Sequence, residues 1–177
     1  MLGRTPAWQP PASPLLLAEY LLGTWVLSKQ FDYKMGGKPG SFAGRATFER
    51  LPDPHSAVLA YREEGVARLG DAGEELAASR RLLYDCSSAQ DVRVLFDEAV
   101  GPARLTPDGL LEGSRFFHTI PLPLAASRPF EHPCGPDFYR GWLELCEESS
   151  WRLTWTVEGP RKQGNTLAFY RRGEVSN

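Results

Sequence analysis

From Gly23 onward, the sequence is a succession of short segments in which apolar and polar residues alternate. The clearest segment spans residues 151–158, where two tryptophans, a leucine and a valine alternate with arginine, threonine and glutamate. A period of two residues is typical of a β-strand with one buried and one exposed face. Glycine, proline or aspartate separates the segments, and no long helical pattern lies between them. The chain is therefore predicted to be an all-β protein.

One short helix is predicted before the strands. Ser13 and Pro14 are a helix-opening pair, because a serine hydroxyl can accept a free backbone N–H and proline suits the first helical position. Gly23 supplies the left-handed residue that ends this helix, which is predicted over residues 14–22. About nine strands are predicted over residues 24–33, 42–49, 57–66, 75–86, 91–96, 115–120, 137–146, 151–158 and 166–172. Gly44, inside the second strand, is expected to allow a bend or a close approach of strands.

Length and charge limit the organisation and the partners. The chain has 177 residues, of which 42% are hydrophobic, and this is enough for one substantial core. Residues 14–177 are therefore predicted to form a single domain, after a disordered proline-rich tail over residues 1–13. The formal net charge is -2, with acidic and basic residues mixed along the chain. Neither nucleic acid nor an anionic membrane surface is predicted as a partner, and the oligomeric state is left open.

The cysteines and apolar segments bear on the compartment. Cys86, Cys134 and Cys146 are odd in number and lack CxxC spacing, so free thiols in a reducing compartment are expected. Residues 15–22 are apolar, but they contain Glu19 and follow prolines instead of a basic segment, which argues against a signal peptide. No apolar run approaches the roughly 20 residues of a membrane-spanning helix. A cytoplasmic, soluble protein is predicted.

Many short strands could build either a sandwich or a barrel. Gly23-Thr24-Trp25, directly after the short helix, resembles the GxW element of lipocalins and their calycin relatives. In those families the helix closes the barrel, the tryptophan packs inside its base and a basic residue near the end of the last strand lies across the indole. Arg171 or Arg172 stands at the matching place. The resemblance implies a closed antiparallel lipocalin-like (calycin) barrel of about 8–10 strands with a short N-terminal helix.

A closer resemblance extends over most of residues 20–172, to a lipocalin-like family defined only as a domain of unknown function. Its elements are Leu22-Gly23-Thr24-Trp25, Phe42-Ala43-Gly44-Arg45-Ala46-Thr47-Phe48, Tyr61-Arg62-Glu63-Glu64-Gly65, Phe117-His118, His132-Pro133-Cys134-Gly135-Pro136-Asp137-Phe138-Tyr139 and Gly159-Pro160-Arg161-Lys162. This resemblance implies the barrel and no reaction. Residues 97–113 are longer than the family's usual connection at that point.

Metal and nucleophile chemistry have candidates but no motif. His118, His132 and Cys134 are zinc-ligand types, yet their spacing matches no usual metal motif, so neither a metal nor a cofactor is predicted. His132-Pro133-Cys134 is interpreted as part of a proline-rich loop. Cys134 could act as a nucleophile with a histidine as base and Asp137 as the orienting acid. No nucleophile elbow or phosphate-binding glycine loop accompanies these residues.

Polar residues on faces that should point into the barrel are the more informative pattern. Asp137 and Tyr139 share a strand face with Leu143, while Arg80 alternates with Leu82. His118 likewise alternates with Phe116 and Ile120. A buried polar group must be paired or solvated, because an unpaired one costs roughly 2–7 kcal/mol.

Two arrangements satisfy this requirement. One is a closed internal network in a filled barrel. The other is a pocket in which Arg80, His118, Asp137 and Tyr139 bind the polar head of a ligand, with apolar walls from Phe42, Phe48, Trp151 and Trp155. A barrel of this size can be filled or can hold one small ligand, so both remain open. The Glu63-Glu64 pair is interpreted as a solvated strand end.

Arg161 and Lys162 follow Gly159-Pro160 in a predicted hairpin turn. Such residues are ordinary in a solvated turn. They could also form a cationic rim at the mouth of the barrel that attracts a carboxylate or phosphate.

Three functional hypotheses follow. The first is a non-enzymatic barrel that binds an apolar small molecule with a polar or anionic head through Arg80, His118, Asp137, Tyr139, Trp155, Arg161 and Lys162. The second is a barrel enzyme, an isomerase or hydrolase, with catalytic candidates His118, Asp137, Tyr139 and Cys134. The third is a filled barrel that acts as a structural or scaffold subunit. Binding without catalysis is the favoured hypothesis.

Overall fold

The computed structural model describes residues 8–52, 55, 57–98 and 112–173. The described residues contain one helix, α1 (Pro14–Leu21). Its N-terminus is capped by Ser13, whose hydroxyl oxygen accepts a hydrogen bond from the Leu16 amide at 3.4 Å. Gly23 follows with a φ of 102°, a left-handed conformation that favours glycine, and turns the chain into the first strand. The predicted helix and both of its boundary signals are confirmed.

The described residues form ten strands in one antiparallel sheet. The strands are β1 (Gly23–Met35), β2 (Gly40–Arg50), β3 (Val58–Leu69), β4 (Glu74–Asp85), β5 (Asp91–Asp97), β6 (Ser114–Pro121), β7 (Phe130–Cys134), β8 (Asp137–Glu147), β9 (Ser150–Glu158) and β10 (Gln163–Arg172). Their order is β6-β5-β4-β3-β2-β1-β10-β9-β8-β7, so the first strand pairs with the last. The sheet is a nearly closed barrel, which confirms the predicted fold class.

Gly44 marks a close approach of β2 and β3, as its position in the sequence predicted. It lies opposite Gly65 in the strand register. A Cβ atom on Gly44 would lie 2.1 Å from the carbonyl oxygen of Glu64 and 2.7 Å from the Cα atom of Gly65. Only glycine fits at this point of the curved sheet.

The barrel closes through side chains at one seam, between the edge strands β6 and β7. In the part of the chain that the structure describes, no backbone ladder pairs these two strands. Instead, His132 Nδ1 lies 2.7 Å from the carbonyl oxygen of Phe117, in hydrogen-bond contact. The rings of His118 and Phe130 stack across the seam, with centroids 4.5 Å apart and an interplanar angle of 12°.

Two local predictions are wrong at this seam. The segment that contains His132 was expected to be a loop, but Phe130–Cys134 is a strand paired with β8. Pro133 is tolerated there because an edge strand has a free side on which no amide is required. Phe116 was expected to share the inner face of His118, but its side chain is 57% exposed. A bulge at this point of β6 places two consecutive residues, Phe117 and His118, against the interior.

The helix closes one end of the barrel over Trp25. This indole is fully buried, and its Nε1 donates a hydrogen bond to the Leu21 carbonyl oxygen at 2.7 Å. The guanidinium carbon of Arg172 lies 3.9 Å from the centroid of the indole, and the same side chain donates to the carbonyl oxygens of Tyr20 and Leu22. Of the two arginines considered, Arg172 therefore performs the closing role.

Part of the N-terminal tail packs against the helix. Within the predicted disordered tail, Trp8 packs against Tyr20 with ring centroids 6.1 Å apart, because its indole covers apolar surface beside the helix. Residues 1–7, most of the long connection (99–111) and residues 174–177 lie outside the described part.

Cys86, Cys134 and Cys146 are free thiols. Among the described residues, no helix is long and apolar enough to cross a membrane.

Replacing the closing arginine should destabilise the fold. Arg172→Met removes a cation from an indole face together with two charge-assisted hydrogen bonds, so we expect the free energy of unfolding to fall by about 1–3 kcal/mol in urea titrations. Arg171→Met is the matched control, because its side chain is exposed on the opposite face of the same strand, and it should change this free energy by less than about 0.5 kcal/mol. Equal stability of the two variants would contradict the closing role of Arg172.

Candidate functional site

Aromatic side chains fill the half of the barrel next to the helix. Trp151 stacks on Tyr170 with ring centroids 3.5 Å apart, and Phe48 contacts both Tyr61 and Tyr84. These rings and Trp25 are all buried. A ligand therefore has no room at this end of the barrel.

A cavity of about 50 Å³ lies above these rings, on the side of the open end. Because one water needs about 10–15 Å³ by this measure, the cavity has room for only a few small atoms. Its lining residues are Lys29, Tyr61, Glu63, Arg80, Leu82, Tyr84, Phe117, His118, Leu153, Trp155, Thr166, Ala168 and Tyr170.

The floor of the cavity carries a complete buried hydrogen-bond network. Glu63 accepts hydrogen bonds from Lys29 Nζ and from the Tyr61 hydroxyl, and the Tyr61 and Tyr170 hydroxyl oxygens are 3.0 Å apart. The side chains of Lys29 and Glu63 are only 12% and 8% exposed. The interpretation of Glu63 as a solvated residue was wrong, whereas the neighbouring Glu64 is exposed. The alternation of Tyr61, Glu63 and Gly65 on one face was the signal in the sequence that pointed inward.

Burial sets the ionisation of this network. It lowers the pKa of Lys29, and the Glu63 carboxylate opposes that change. Burial also raises the pKa of both Tyr61 and Tyr170 well above the usual range, so their hydroxyls stay protonated. The ion pair between Lys29 and Glu63 and the two neutral phenols together carry no net charge.

Arg80 adds an unbalanced positive charge to the cavity. Its guanidinium carbon lies 5.1 Å from the ring centroid of Phe117 and 5.8 Å from that of Phe96. Among the residues that the structure describes, no side chain forms an ion pair or a hydrogen bond with this guanidinium. Aromatic faces attract a cation but do not replace a hydrogen-bonding anion.

His118 lies in the same cavity and is 2% exposed. Its Nδ1 is buried without a hydrogen-bond partner in the described structure, and its ring contacts those of Phe117, Phe130 and Trp155. Burial, together with the nearby charges of Arg80 and His132, lowers the pKa of His118 to about 3. The imidazole is therefore neutral near pH 7, and Nδ1 is available as a donor or an acceptor, depending on the tautomer.

Three other predicted site residues meet at the open end instead. Lys162 Nζ donates a hydrogen bond to the Tyr139 hydroxyl at 2.9 Å, and this bond raises the pKa of Lys162. Asp137 Oδ1 is buried without a described partner, and Gly159 packs so closely that a Cβ atom there would lie 1.9 Å from it. We call Asp137, Tyr139 and Lys162 the rim cluster.

The structure thus divides the predicted residues into separate groups. Arg80, His118 and Trp155 line the cavity, whereas Arg161 is exposed on the turn beside the rim cluster. Cys134 is exposed at the β7–β8 turn. Phe42, Phe48 and Trp151, expected as pocket walls, are buried outside the cavity lining.

The proposed acid–base pairs are not joined by hydrogen bonds in the part of the chain that the structure describes. In the described residues, His118 forms no hydrogen bond with Asp137, Tyr139 or Cys134. No group of three or more histidine, cysteine, aspartate or glutamate side chains comes together there as a metal site.

Comparison with known proteins places the chain in a family. The family of unknown function DUF6314 matches residues 21–172, and the chain belongs to this family. A search of curated proteins found no match.

Three solved structures are similar to this chain. The S-type phycobiliprotein lyase CPES from Guillardia theta is similar with a TM-score of 0.54 and 9% sequence identity, over 90% of this chain and 92% of that one. A protein of unknown function from the DUF3598 family of Nostoc punctiforme has a TM-score of 0.43 and 19% identity, over 94% of this chain and 53% of that one. A de novo designed fluorescence-activating β-barrel has a TM-score of 0.41 and 13% identity, over 88% and 96% of the two chains. At such low identity, the lyase comparison shows a shared barrel fold alone.

The environment of His118 predicts a pH dependence of stability. In the unfolded chain His118 takes up a proton below its ordinary pKa of 6.5, whereas in the folded protein it does so only near 3. Between these values the unfolded state binds more protons, so the free energy of unfolding falls as the pH falls. From about pH 7.5 to about pH 5, His118 should account for a loss of about 2 kcal/mol. His118→Phe should lack this loss in urea titrations at the two pH values.

The measured quantity is the difference in the free energy of unfolding between wild type and His118→Phe. Carboxylates that titrate in both proteins contribute equally to each and do not affect this difference. If wild type and His118→Phe lost stability in parallel over this pH range, the neutral buried state of His118 would be refuted.

Proposed function

We propose that this member of the DUF6314 family binds a small molecule inside its barrel and holds an anionic group of that ligand on Arg80. The main support for this proposal is that the guanidinium of Arg80 faces the cavity and has no anionic partner among the described residues. A partly buried cation without a counterion is costly, and a charge-assisted hydrogen bond to a ligand would offset that cost.

The surroundings of Arg80 favour a ligand over a missing internal partner. The carboxylate on the cavity floor, Glu63, is already bound by Lys29 and Tyr61. His118 Nδ1 is a second unsatisfied polar group in the same small cavity. Two unsatisfied polar groups beside apolar rings are the arrangement expected of a ligand-binding pocket.

The inner face between the cavity and the open end suits the apolar part of such a ligand. Phe31, Leu69, Ala78 and Trp155 are only partly buried there and pack against the core. Each buried methylene group of a ligand would contribute about 0.8 kcal/mol on this surface. The ligand would then point its head at Arg80 and its tail towards the rim cluster.

At the rim, Lys162 and the exposed Arg161 would attract an anion before it reaches Arg80. Lys162 already contacts the rings of Tyr33 and Tyr139, at 5.7 and 5.5 Å from their centroids. Asp137 and Tyr139 would contact the polar parts of a ligand at this position. Two cysteines, Cys134 and Cys146, are exposed as free thiols, which fits the reducing cytoplasm.

Binding accounts for the interior better than acid–base catalysis does. A histidine whose pKa is about 3 is a weak general base near pH 7. In the described structure the Nδ1 atom of His118 has no hydrogen-bond partner, so neither the Asp137 carboxylate nor the Tyr139 hydroxyl is bound there to assist it. The scaffold hypothesis accounts for the filled half of the barrel but leaves the cation in the cavity without a role.

Removing the cation should remove the affinity for an anionic ligand. We expect wild type to bind cis-parinarate, a fluorescent fatty carboxylate, and Arg80→Met to bind it at least about tenfold more weakly, because a hydrogen bond to a charged group contributes about 1.5–3 kcal/mol. Arg81→Met is the matched control, since the adjacent Arg81 is exposed on the outer face and paired with Asp97. It should bind like wild type in the same fluorescence titration.

Urea titrations of the ligand-free proteins provide the control for folding. Arg80→Met should be at least as stable as wild type, because it removes a cation that no described residue pairs. Absence of parinarate binding by wild type, or equal binding by wild type and Arg80→Met, would refute the proposed function.

A further inference from the structure

The interior of the barrel carries a definite charge. Lys29 and Glu63 form an ion pair on the floor of the cavity, and Arg80 stands beside them without a partner in the described chain. The hydroxyls of Tyr61 and Tyr170 stay protonated, and His118 is neutral. The cavity therefore holds one positive charge in excess.

A ligand head with one negative charge would neutralise this excess. A doubly charged head would leave one negative charge over, close to the Glu63 carboxylate and out of bulk water, where charge repulsion is weakly screened. A neutral head would leave Arg80 unpaired. The charge balance of the described residues thus favours a monoanion over both alternatives.

The second polar group of the cavity adds a requirement of its own. Arg80 and His118 both lie against the ring of Phe117, with the guanidinium carbon 5.1 Å and the imidazole centroid 4.5 Å from its centre. Because both groups also line the same cavity of about 50 Å³, a head bound at Arg80 is within reach of the buried, unpartnered Nδ1 of His118. That nitrogen is either a donor or an acceptor in a neutral imidazole, and a hydroxyl group of the ligand would satisfy it in both cases.

The size of the cavity limits the head as well. A volume of about 50 Å³ accommodates a carboxylate and one neighbouring substituent, but no bulky head. Longer parts of the ligand would have to extend towards the open end, over the partly buried Phe31 and Ala78.

We infer that the cavity selects a monocarboxylate with a hydroxyl or carbonyl group on the neighbouring carbon, the carboxylate on Arg80 and the neutral oxygen on His118. This inference rests on the proposed function and names the chemical class of its ligand. Binding is reversible, and no bond of the ligand is made or broken.

A series of ligands with one shared tail tests the head directly. Decanoate, 2-hydroxydecanoate, decanol and decyl phosphate are each titrated against bound cis-parinarate at about pH 8, where the phosphate is a dianion. We expect wild type to bind 2-hydroxydecanoate about threefold to tenfold more tightly than decanoate, as one added hydrogen bond would give. Decanol and decyl phosphate should bind at least about tenfold more weakly than decanoate.

The His118→Phe variant tests the assignment of the hydroxyl. It keeps an aromatic ring beside Phe130 and removes Nδ1, so the ratio of the affinity for 2-hydroxydecanoate to the affinity for decanoate should fall to about one. The ranking of heads by wild type does not depend on this variant, so a folding defect would leave the test of charge intact.

The outcomes separate the two proposals. If decyl phosphate or decanol binds wild type as tightly as decanoate while Arg80→Met still weakens decanoate, the head selection inferred here is wrong and the proposed function stands. If the hydroxyl gives no advantage in wild type, or keeps its advantage in His118→Phe, the role of His118 is wrong. If no member of the series binds, the proposed function fails.

Discussion

The contact between Arg172 and Trp25 joins the first and last strands of the chain, and the interior depends on it. Arg172 is the last residue of the last strand, and Trp25 stands near the start of the first, so their contact fixes the β1–β10 register at the closed end. The same guanidinium donates hydrogen bonds to two carbonyl oxygens at the end of the helix. These bonds satisfy carbonyl groups that have no partner within the helix. One side chain thereby positions the helix, the indole and the closing strand together.

Closing the base in this way confines polar chemistry to the other half of the barrel. The indole of Trp25 contacts Trp151, and this ring stacks on Tyr170, whose hydroxyl belongs to the cavity network. Above this layer the strands carry an ion pair, a lone guanidinium and a neutral imidazole. The barrel is therefore neither simply hollow nor simply filled, because its two halves differ in packing and in charge.

The sequence predicted the fold well because strand alternation and the closing elements are local or terminal signals. The helix boundaries follow from Ser13, Pro14 and Gly23, each of which acts within a few residues of its own position. The strand β7 was missed because proline suggests a loop, and only the location of Pro133 at a sheet edge makes a strand acceptable there. The bulge beside His118 was also missed, since an extra residue in one strand depends on its pairing with the neighbouring strand.

The sequence predicted the inward orientation of single residues of the candidate site, but it did not predict which of these residues lie together. Alternation correctly placed Arg80 and His118 on inner faces, and their shared cavity confirms those orientations. The separation of Asp137, Tyr139 and Lys162 from this cavity depends on the height of each residue along the barrel axis, which strand pairing determines. The pairing of Glu63 with Lys29 also joins two strands that are not neighbours in the sheet, so no local pattern indicates it.

The strands β6 and β7 are held together differently from every other pair of adjacent strands in the described barrel. Everywhere else in the described sheet, widening the wall would break a series of backbone hydrogen bonds that act together. At the seam, the resistance comes from the contact between His132 and Phe117 and from stacked rings, which can slide before they separate. A change in the width of the barrel would therefore meet the least resistance along this seam, where His118 and Phe117 lie beside the cavity.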